Sequence, residues 1–262
     1  MDNIIVTEED FLNTYKNKIA GKKALEICKK NSWLPLEPSP ALSSIVGHLM
    51  GDGNLSKDKM VGSFSFYGNF SNLNGIKNRI YKYFNIIPST YCLHPKGRGS
   101  TYLLKYNNAI FSRLLELIGV PRGNKVLTNF EVPNWIMISN KAIKKSFLSA
   151  LFTDEMERIK KSKRGDWEGL KLTMSKEQNK TDNLVYFFNQ IKILLSEFEI
   201  TSSEIQTYKK RAFQRKDGNI TYPTRFCINT RLENRKKFYF NVGFEDIEKQ
   251  KLLYSSLKTH KL

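Results

Sequence analysis

Two stretches of this chain, 102 positions apart, end alike. Ile45-Val46-Gly47-His48-Leu49-Met50-Gly51-Asp52-Gly53 lies without a gap on Phe147-Leu148-Ser149-Ala150-Leu151-Phe152-Thr153-Asp154-Glu155. Each stretch has an apolar body, small residues four apart and an aspartate near its close. Residues at that spacing share one helix face, Gly47 with Gly51 and Ser149 with Thr153. Small side chains there let two helix backbones approach closely. If the two helices pack in parallel, Asp52 and Asp154 emerge side by side at one end. Taken singly, Asp52-Gly53 reads equally well as a helix-ending turn with a left-handed glycine. A matched pair at one register is what turns the reading towards function.

The surrounding chain can be laid out twice. Ser39-Pro40 is an N-cap followed by proline at the first helical position, opening a helix from Ala41 to about Gly51. Ser139 or Asn140 opens its counterpart from Lys141 to about Thr153. Roughly alternating strands follow, Ser63 to Tyr67 and Lys171 to Lys176, and then long amphipathic helices, Asn72 to Phe84 and Thr181 to Phe198. Further strand candidates are Ser89 to Leu93 with Ser100 to Tyr106, and Glu204 to Phe213 with Thr221 to Thr230. Similar phrases close the copies, Leu117-Ile118-Gly119-Val120 and Phe240-Asn241-Val242-Gly243. The pattern is a diverged duplication of an α-β-β-α-β-β-α unit, joined by a linker from Pro121 to Pro133. The expected organisation is α+β: a helical extension over residues 1–40, a first repeat over 41–130 and a second over 131–262. In the extension, Thr7 caps a helix carrying Phe11, Leu12, Tyr15 and Ile19. Gly21 is expected to break it before a second helix from Lys22 to Lys30. That pair reads as an ordinary packing extension or as half of a helix-turn-helix.

Composition now says what such a fold would meet. Among 262 residues, 43 Lys+Arg against 25 Asp+Glu leave a net charge of +18, and 40% hydrophobic residues are too many for a disordered basic tail. A packed protein this basic has a polyanionic partner: nucleic acid, or failing that an anionic membrane surface. No apolar run reaches the roughly 18 residues a spanning helix needs, and the acidic Met1 to Asp10 segment is no signal peptide. The chain is expected to work inside the cell, in the cytoplasm of an archaeon or bacterium or in an organelle matrix. Cys28, Cys92 and Cys227 form no close pair, and His48, His94 and His260 supply no zinc motif. Any metal must rest on carboxylates. A carboxylate at a helix C-terminus faces the negative end of the macrodipole at a cost of about 0.3–1 kcal/mol. Two such groups together would force a proton onto one unless a cation intervened. Mg²⁺ suits the place.

The paired motifs, with Leu117 to Lys125 and Val132-Pro133-Asn134-Trp135, resemble the single-chain, two-motif LAGLIDADG homing endonucleases over about residues 41–262. The resemblance implies two pseudo-symmetric units whose curved antiparallel sheets form a DNA-binding saddle. It also implies that the last acid of each motif, Asp52 and Asp154, holds a divalent metal (Mg²⁺, or another such as Mn²⁺ or Ca²⁺), with Gly51 and Thr153 in the metal set. Each acid would serve the cleavage of one strand of a long target site. A basic residue is expected near each acid. Lys105 falls at the first place, whereas the matched place in the second half, counted back from Gly243 as Lys105 is from Gly119, is Asn229, leaving Lys176 or Arg231 to substitute. Met50 and Phe152 stand at the motif's earlier acid position, and Glu155 replaces its final glycine. His48 reads as a packed interface residue rather than a base.

The implied interface comprises Ser65, Tyr67, Lys171, Gln206, Tyr208, Gln214, Arg225, Asn229 and Arg231 on strands and their ends. Arg158, Lys160, Lys161, Lys163, Arg164, Lys210 and Arg215 would grip phosphates. Double-stranded DNA is the expected partner of a monomer, with a host intron RNA as a further one. An intron-encoded or free-standing enzyme is favoured over an intein. The alternatives are an RNA maturase and a non-cutting DNA-binding regulator.

Overall fold

The structure, a computed structural model, describes residues 4–93, 101–163 and 165–258. His94, Ser100, Arg164 and His260 therefore lie outside the described residues.

The extension opens with α1 (Glu8–Asn13), closed by a capping box in which the Asp10 N–H donates to Thr7 Oγ1 at 3.1 Å and the Thr7 N–H to Asp10 Oδ2 at 2.9 Å. Helix α2 (Lys18–Lys30) begins four residues earlier than expected, because Asn17 accepts from the Ile19 and Ala20 N–H groups. Gly21 breaks nothing. It lies inside α2, buried, where an added Cβ would come within 3.2 Å of Tyr15 Cβ. The glycine answers a packing need, and the break falls before Asn17 instead. Trp33 Nε1 donates to the Phe84 carbonyl and Arg113 to the Thr14 carbonyl, docking the extension onto the body.

Helix α3 (Pro40–Met50) follows Ser39, whose hydroxyl accepts from the Leu42 N–H. Every residue from Ala41 to Met50 is buried, and the polar ones among them, Ser43, Ser44 and His48, each have a hydrogen-bond partner. Then come β1 (Asn54–Leu55), β2 (Ser63–Gly68), α4 (Phe70–Phe84), β3 (Thr90–Leu93), β4 (Tyr102–Asn107) and α5 (Ala109–Leu117). The strands form an antiparallel sheet in the order β1-β2-β4-β3, with Phe64 opposite Tyr106 and Ser65 opposite Lys105. Period-2 alternation puts Phe64, Phe66, Leu104 and Tyr106 on the covered face, where they meet Phe111.

A short helix α6 (Asn134–Met137) precedes α7 (Lys141–Glu155), which Asn140 caps through the Ile143 N–H. Helix α7 runs two residues past the expected end at Thr153. The cause is Glu155. After α3 the chain folds back so that the Gly53 N–H donates to the His48 carbonyl at 2.8 Å, and a Cβ on Gly53 would lie 2.7 Å from His48 O and Leu49 Cα. A glutamate cannot enter that fold-back, so the second helix continues.

The remaining elements are β5 (Lys160–Lys161), β6 (Trp167–Glu168), β7 (Lys171–Glu177), α8 (Thr181–Ser196), β8 (Gln206–Thr207), β9 (Phe213–Gln214), β10 (Ile220–Cys227), α9 (Leu232–Asn241) and α10 (Ile247–Lys258). Strands β5 and β6 pair with each other, and β7, β10 and β8 form a second antiparallel sheet with β9 also on β10. The expected strand from Glu204 to Phe213 is broken: a 3₁₀ turn at Lys209–Arg211 separates β8 from β9. Three successive cations offer no apolar side to a core, and Pro223 on β10 has no N–H to give beside Tyr208. The result is mixed α/β with antiparallel sheets. Among the described residues no helix is long and apolar enough to cross a membrane.

Candidate active site

Helices α3 and α7 pack against each other through their small residues. A Cβ on Gly47 would lie 2.6 Å from Phe147 O and 2.9 Å from Ala150 Cβ, and one on Gly51 would lie 2.8 Å from Asp154 Cβ. Ser43 Oγ donates to the Ile143 carbonyl at 2.8 Å. Contacts therefore advance together along both helices, so the helices are parallel and Asp52 and Asp154 reach the same end. The α7 surface under the glycines is Phe147, Ala150 and Asp154; Thr153 instead accepts the Glu245 N–H on its hydroxyl at 2.7 Å.

Each helix end is closed by a lysine from a distant segment. Lys125 Nζ shares its three N–H groups among the carbonyls of Leu49 (3.1 Å), Met50 (3.2 Å), Gly53 (2.8 Å) and Gly51. Lys249 Nζ donates to the Thr153 and Met156 carbonyls, both at 2.6 Å. An ammonium suits the negative end of the helix dipole and satisfies its last carbonyls. The carbonyls of Gly51 and Thr153, expected in the metal set, are thus engaged by ammonium groups. Gly119 and Gly243, at φ +99 and +68, turn the chain after α5 and α9, and each lysine follows its glycine by six residues.

The acids and bases perturb one another. The protein around Asp52 and the charge of Asp154 push its carboxyl up to about 6 against the pull of Lys125, Lys249 and His48. Burial, then Asp52, pushes Glu155 up to about 8. Burial lowers both Lys125 and Lys249 against the pull of the carboxylates. His48 is 1% exposed, with Nδ1 at 3.0 and 3.1 Å from the Asp154 oxygens and Nε2 at 3.2 Å from Glu245 Oε2. Burial alone would lower it; the two carboxylates outweigh that and raise it to about 9, so it is an imidazolium at neutral pH. Burial likewise works against Glu245, yet His48, Arg79 at 2.9 Å and the Ser44 hydroxyl hold it down at about 2.

A cavity of about 330 Å³ opens beside Asp52, lined among others by Gly51, Lys125, Glu155 and Lys176. Among the described residues no three His, Cys, Asp or Glu gather into a closed metal cage. Two crowded carboxylates at an open cleft do fit a hard cation that keeps water and phosphate oxygens in its shell. Asp52 is exposed as a residue although its carboxyl lies in the field of Lys125, Lys249 and His48, and no hydrogen bond or ion pair fixes that carboxyl among the described residues.

The other sequence-selected residues divide clearly. Lys105 sits on β4 opposite Ser65 and Thr90, and the cations that act on Asp52 are instead Lys125, Lys249 and His48. Lys176 is 1% exposed; its Nζ donates to Thr128 O and Asn183 Oδ1, both at 2.6 Å, and lies 3.9 Å from the Phe130 ring centroid. Burial brings it down to about 8. Ser65, buried, donates to the Tyr67 hydroxyl at 3.3 Å. On the open face of the second sheet, Arg225 stands opposite Thr173 and Gln206 and donates from Nε to Thr173 Oγ1 at 2.9 Å; Lys171 pairs with Cys227 nearby. Tyr208 donates to Gln206 and lies under the guanidiniums of Arg211 and Arg225. Arg158, Lys160, Lys161 and Lys163 are exposed on and beside the β5–β6 hairpin, and Lys210 and Gln214 are exposed beyond β8. Arg215 pairs with Asp217 at 3.4 Å. Asn229 leads into α9, accepting from the Arg231 N–H at 2.9 Å, and contributes no cation.

Sequence reasoning missed Lys125, Lys249, Glu245 and Arg79. The two lysines carried a signal: counting forward from Gly119 and Gly243 reaches both, where counting back reached Lys105 and Asn229.

No family model matches the chain. It is 32% identical over 219 residues to the replication factor C small subunit of Methanocaldococcus jannaschii, matching 74% of this chain and 12% of that protein. It is 27% identical over 264 residues to the tRNA-splicing ligase RtcB of Methanopyrus kandleri, 95% of this chain and 25% of that protein. It is also 27% identical over 275 residues to the DNA-directed RNA polymerase subunit Rpo1N of M. jannaschii, 96% of this chain and 20% of that protein. The chain thus spans an eighth to a quarter of the length of these relatives. Among solved structures, mesophilic variants of the homing endonuclease I-DmoI are similar with TM-score 0.49 and 13% identity, over 83% of this chain and 100% of theirs. The homing endonuclease I-WcaI bound to its DNA recognition sequence gives TM-score 0.48 and 16% identity, over 95% and 98%.

Proposed function

We propose that this protein is a divalent-metal-dependent, sequence-specific DNA endonuclease of the LAGLIDADG type that makes a double-strand break at a long target site. The observation that carries the reading is the pair of parallel helix ends, each presenting an aspartate beside a dipole-capping lysine. A structural turn needs neither the second copy nor the lysine. In this reading residues 41–130 and 131–262 are pseudo-symmetric halves, each serving one strand, and the protein acts as a monomer. The relatives support a self-contained unit: a stretch common to a replication factor subunit, an RNA ligase and an RNA polymerase subunit is not what any of those names describes.

Asp52 and Asp154 would hold the cation, Mg²⁺ or a substitute such as Mn²⁺ or Ca²⁺, which when bound supplies charge stabilisation to a phosphate under attack. Lys125 and Lys249, held in place by helix carbonyls, would each add a positive charge near the aspartates that could offset charge developing on a phosphate oxygen. The open sheet faces, with Lys105, Tyr67, Lys171, Gln206 and Arg225, would meet the major groove, while Ser65, being buried, would not reach it. The basic β5–β6 hairpin would hold phosphates.

The test is cleavage of a plasmid library with and without Mg²⁺. Sequence-specific linear product that Asp52→Asn or Asp154→Asn reduces to a nick supports the reading. Tight binding of duplex DNA with no cutting in any divalent metal overturns it in favour of a regulator. Preferential binding of folded intron RNA without cutting would favour a maturase.

A further inference from the structure

The two acids share a pattern but not a setting. His48 holds both Asp154 oxygens, at 3.0 and 3.1 Å from Nδ1. Its other nitrogen, Nε2, lies 3.2 Å from Glu245. Glu245 is anchored in turn by Ser44 at 2.7 Å and Arg79 at 2.9 Å, and its own N–H is fixed on Thr153 at 2.7 Å. Ser44 and His48 belong to α3, Arg79 to α4, and Thr153 and Asp154 to α7, so three helices brace one carboxylate. At the position matching His48 in the second motif stands Ala150, which cannot reach Asp52 with a polar atom. Nothing among the described residues holds the Asp52 side chain.

We propose that His48 is a positioning residue that fixes the Asp154 carboxylate and makes the two acids unequal, so that the strand served by Asp154 is cut before the strand served by Asp52. The physical ground is preorganisation. A group already locked in its working geometry loses no freedom on the way to the transition state, and a misplacement of about 1 Å can cost 10²-fold in rate. The proposal rests on the endonuclease reading for its consequence, though not for the clamp itself.

The experiment uses a target duplex with a different fluorophore on each strand, in Mg²⁺. Asp52→Asn and Asp154→Asn assign each strand to its acid. The wild type is expected to cut the Asp154 strand first. His48→Ala should slow that strand about 10²-fold while the other stays within about twofold. His48→Asn, which keeps a donor where Nδ1 stood, should restore the Asp154 strand; His48→Gln, whose amide reaches towards Glu245, should not. This pair preserves the test if the alanine variant fails to fold. Equal slowing of both strands, or slowing of neither, overturns the proposal. In the metal-free protein, ¹⁵N-histidine spectra should show a slowly exchanging imidazole N–H that Asp154→Asn shifts and Asp52→Asn leaves in place; its absence also overturns the clamp. If the wild type cuts neither strand, the endonuclease reading fails and the spectra alone decide whether Asp154 is held.

Discussion

At the end of α3 no hydrogen bond or ion pair among the described residues fixes the Asp52 carboxyl, whereas at the end of α7 the Asp154 side chain is 12% exposed and braced by His48. The helices close differently too. The first folds back through Gly53, which has no Cβ to clash with His48 and Leu49; the second carries Glu155 there and continues. Their lysines, by contrast, arrive by the same count from the same kind of turn. Both helix ends meet what the dipole demands with a lysine, while the groups around each acid differ.

The largest expected effect separates the lysines. Lys125→Met and Lys249→Met should each slow one strand about 10²–10³-fold, seen by strand-resolved cleavage. Equal slowing of both strands by either variant would show the two ends acting as one centre. Next comes the fold-back. Gly53→Ala should cost about 2–3 kcal/mol in urea unfolding, because the nearest atoms are backbone. Glu155→Ala should bring no such loss, there being no fold-back to break, and should gain stability at neutral pH, because burial and Asp52 hold Glu155 up at about 8. Similar losses would erase the distinction between the helix ends.

A smaller effect follows from pH. Glu245, held at about 2 in the fold against an ordinary 4.5, contributes stability that is fully present above 4.5 and lost as pH falls towards 2. Relative to the wild type, Glu245→Gln should be destabilised by about 1–3 kcal/mol above pH 5, with the gap narrowing as acid is added. A gap that widens in acid would contradict the His48–Glu245–Arg79 brace. Smallest is the difference between the sheets. Lys105→Ala and Arg225→Ala should each lower the salt slope of DNA affinity by about one if each meets a phosphate. An unchanged slope with altered sequence preference would mark a base-reading residue instead.

Much of this was legible in the chain. Ser39-Pro40, Asn140 and the small residues at helical spacing announced α3 and α7, and the terminal aspartates announced where charged groups would cluster. Alternation announced β2 and β7. Less legible was the strand after Glu204, where Lys209-Lys210-Arg211 defeats a ladder that the surrounding residues would form. Gly21 misled because a glycine inside a helix and a glycine that breaks one look the same until Tyr15 is seen against it.

Local sequence determined what neighbours in the chain decide for themselves: caps, periods, and the charge of +18 that asks for a polyanion. Only the tertiary structure decided which cation stands beside which acid. Lys125 lies 73 positions from Asp52, Lys249 lies 95 from Asp154, and Glu245 reaches His48 across 197. No periodicity links residues so distant. They meet because two helices, in close contact at Gly47 and Gly51, bring their negative ends together, and the carboxylates and carbonyls crowded there favour positive groups from elsewhere in the chain.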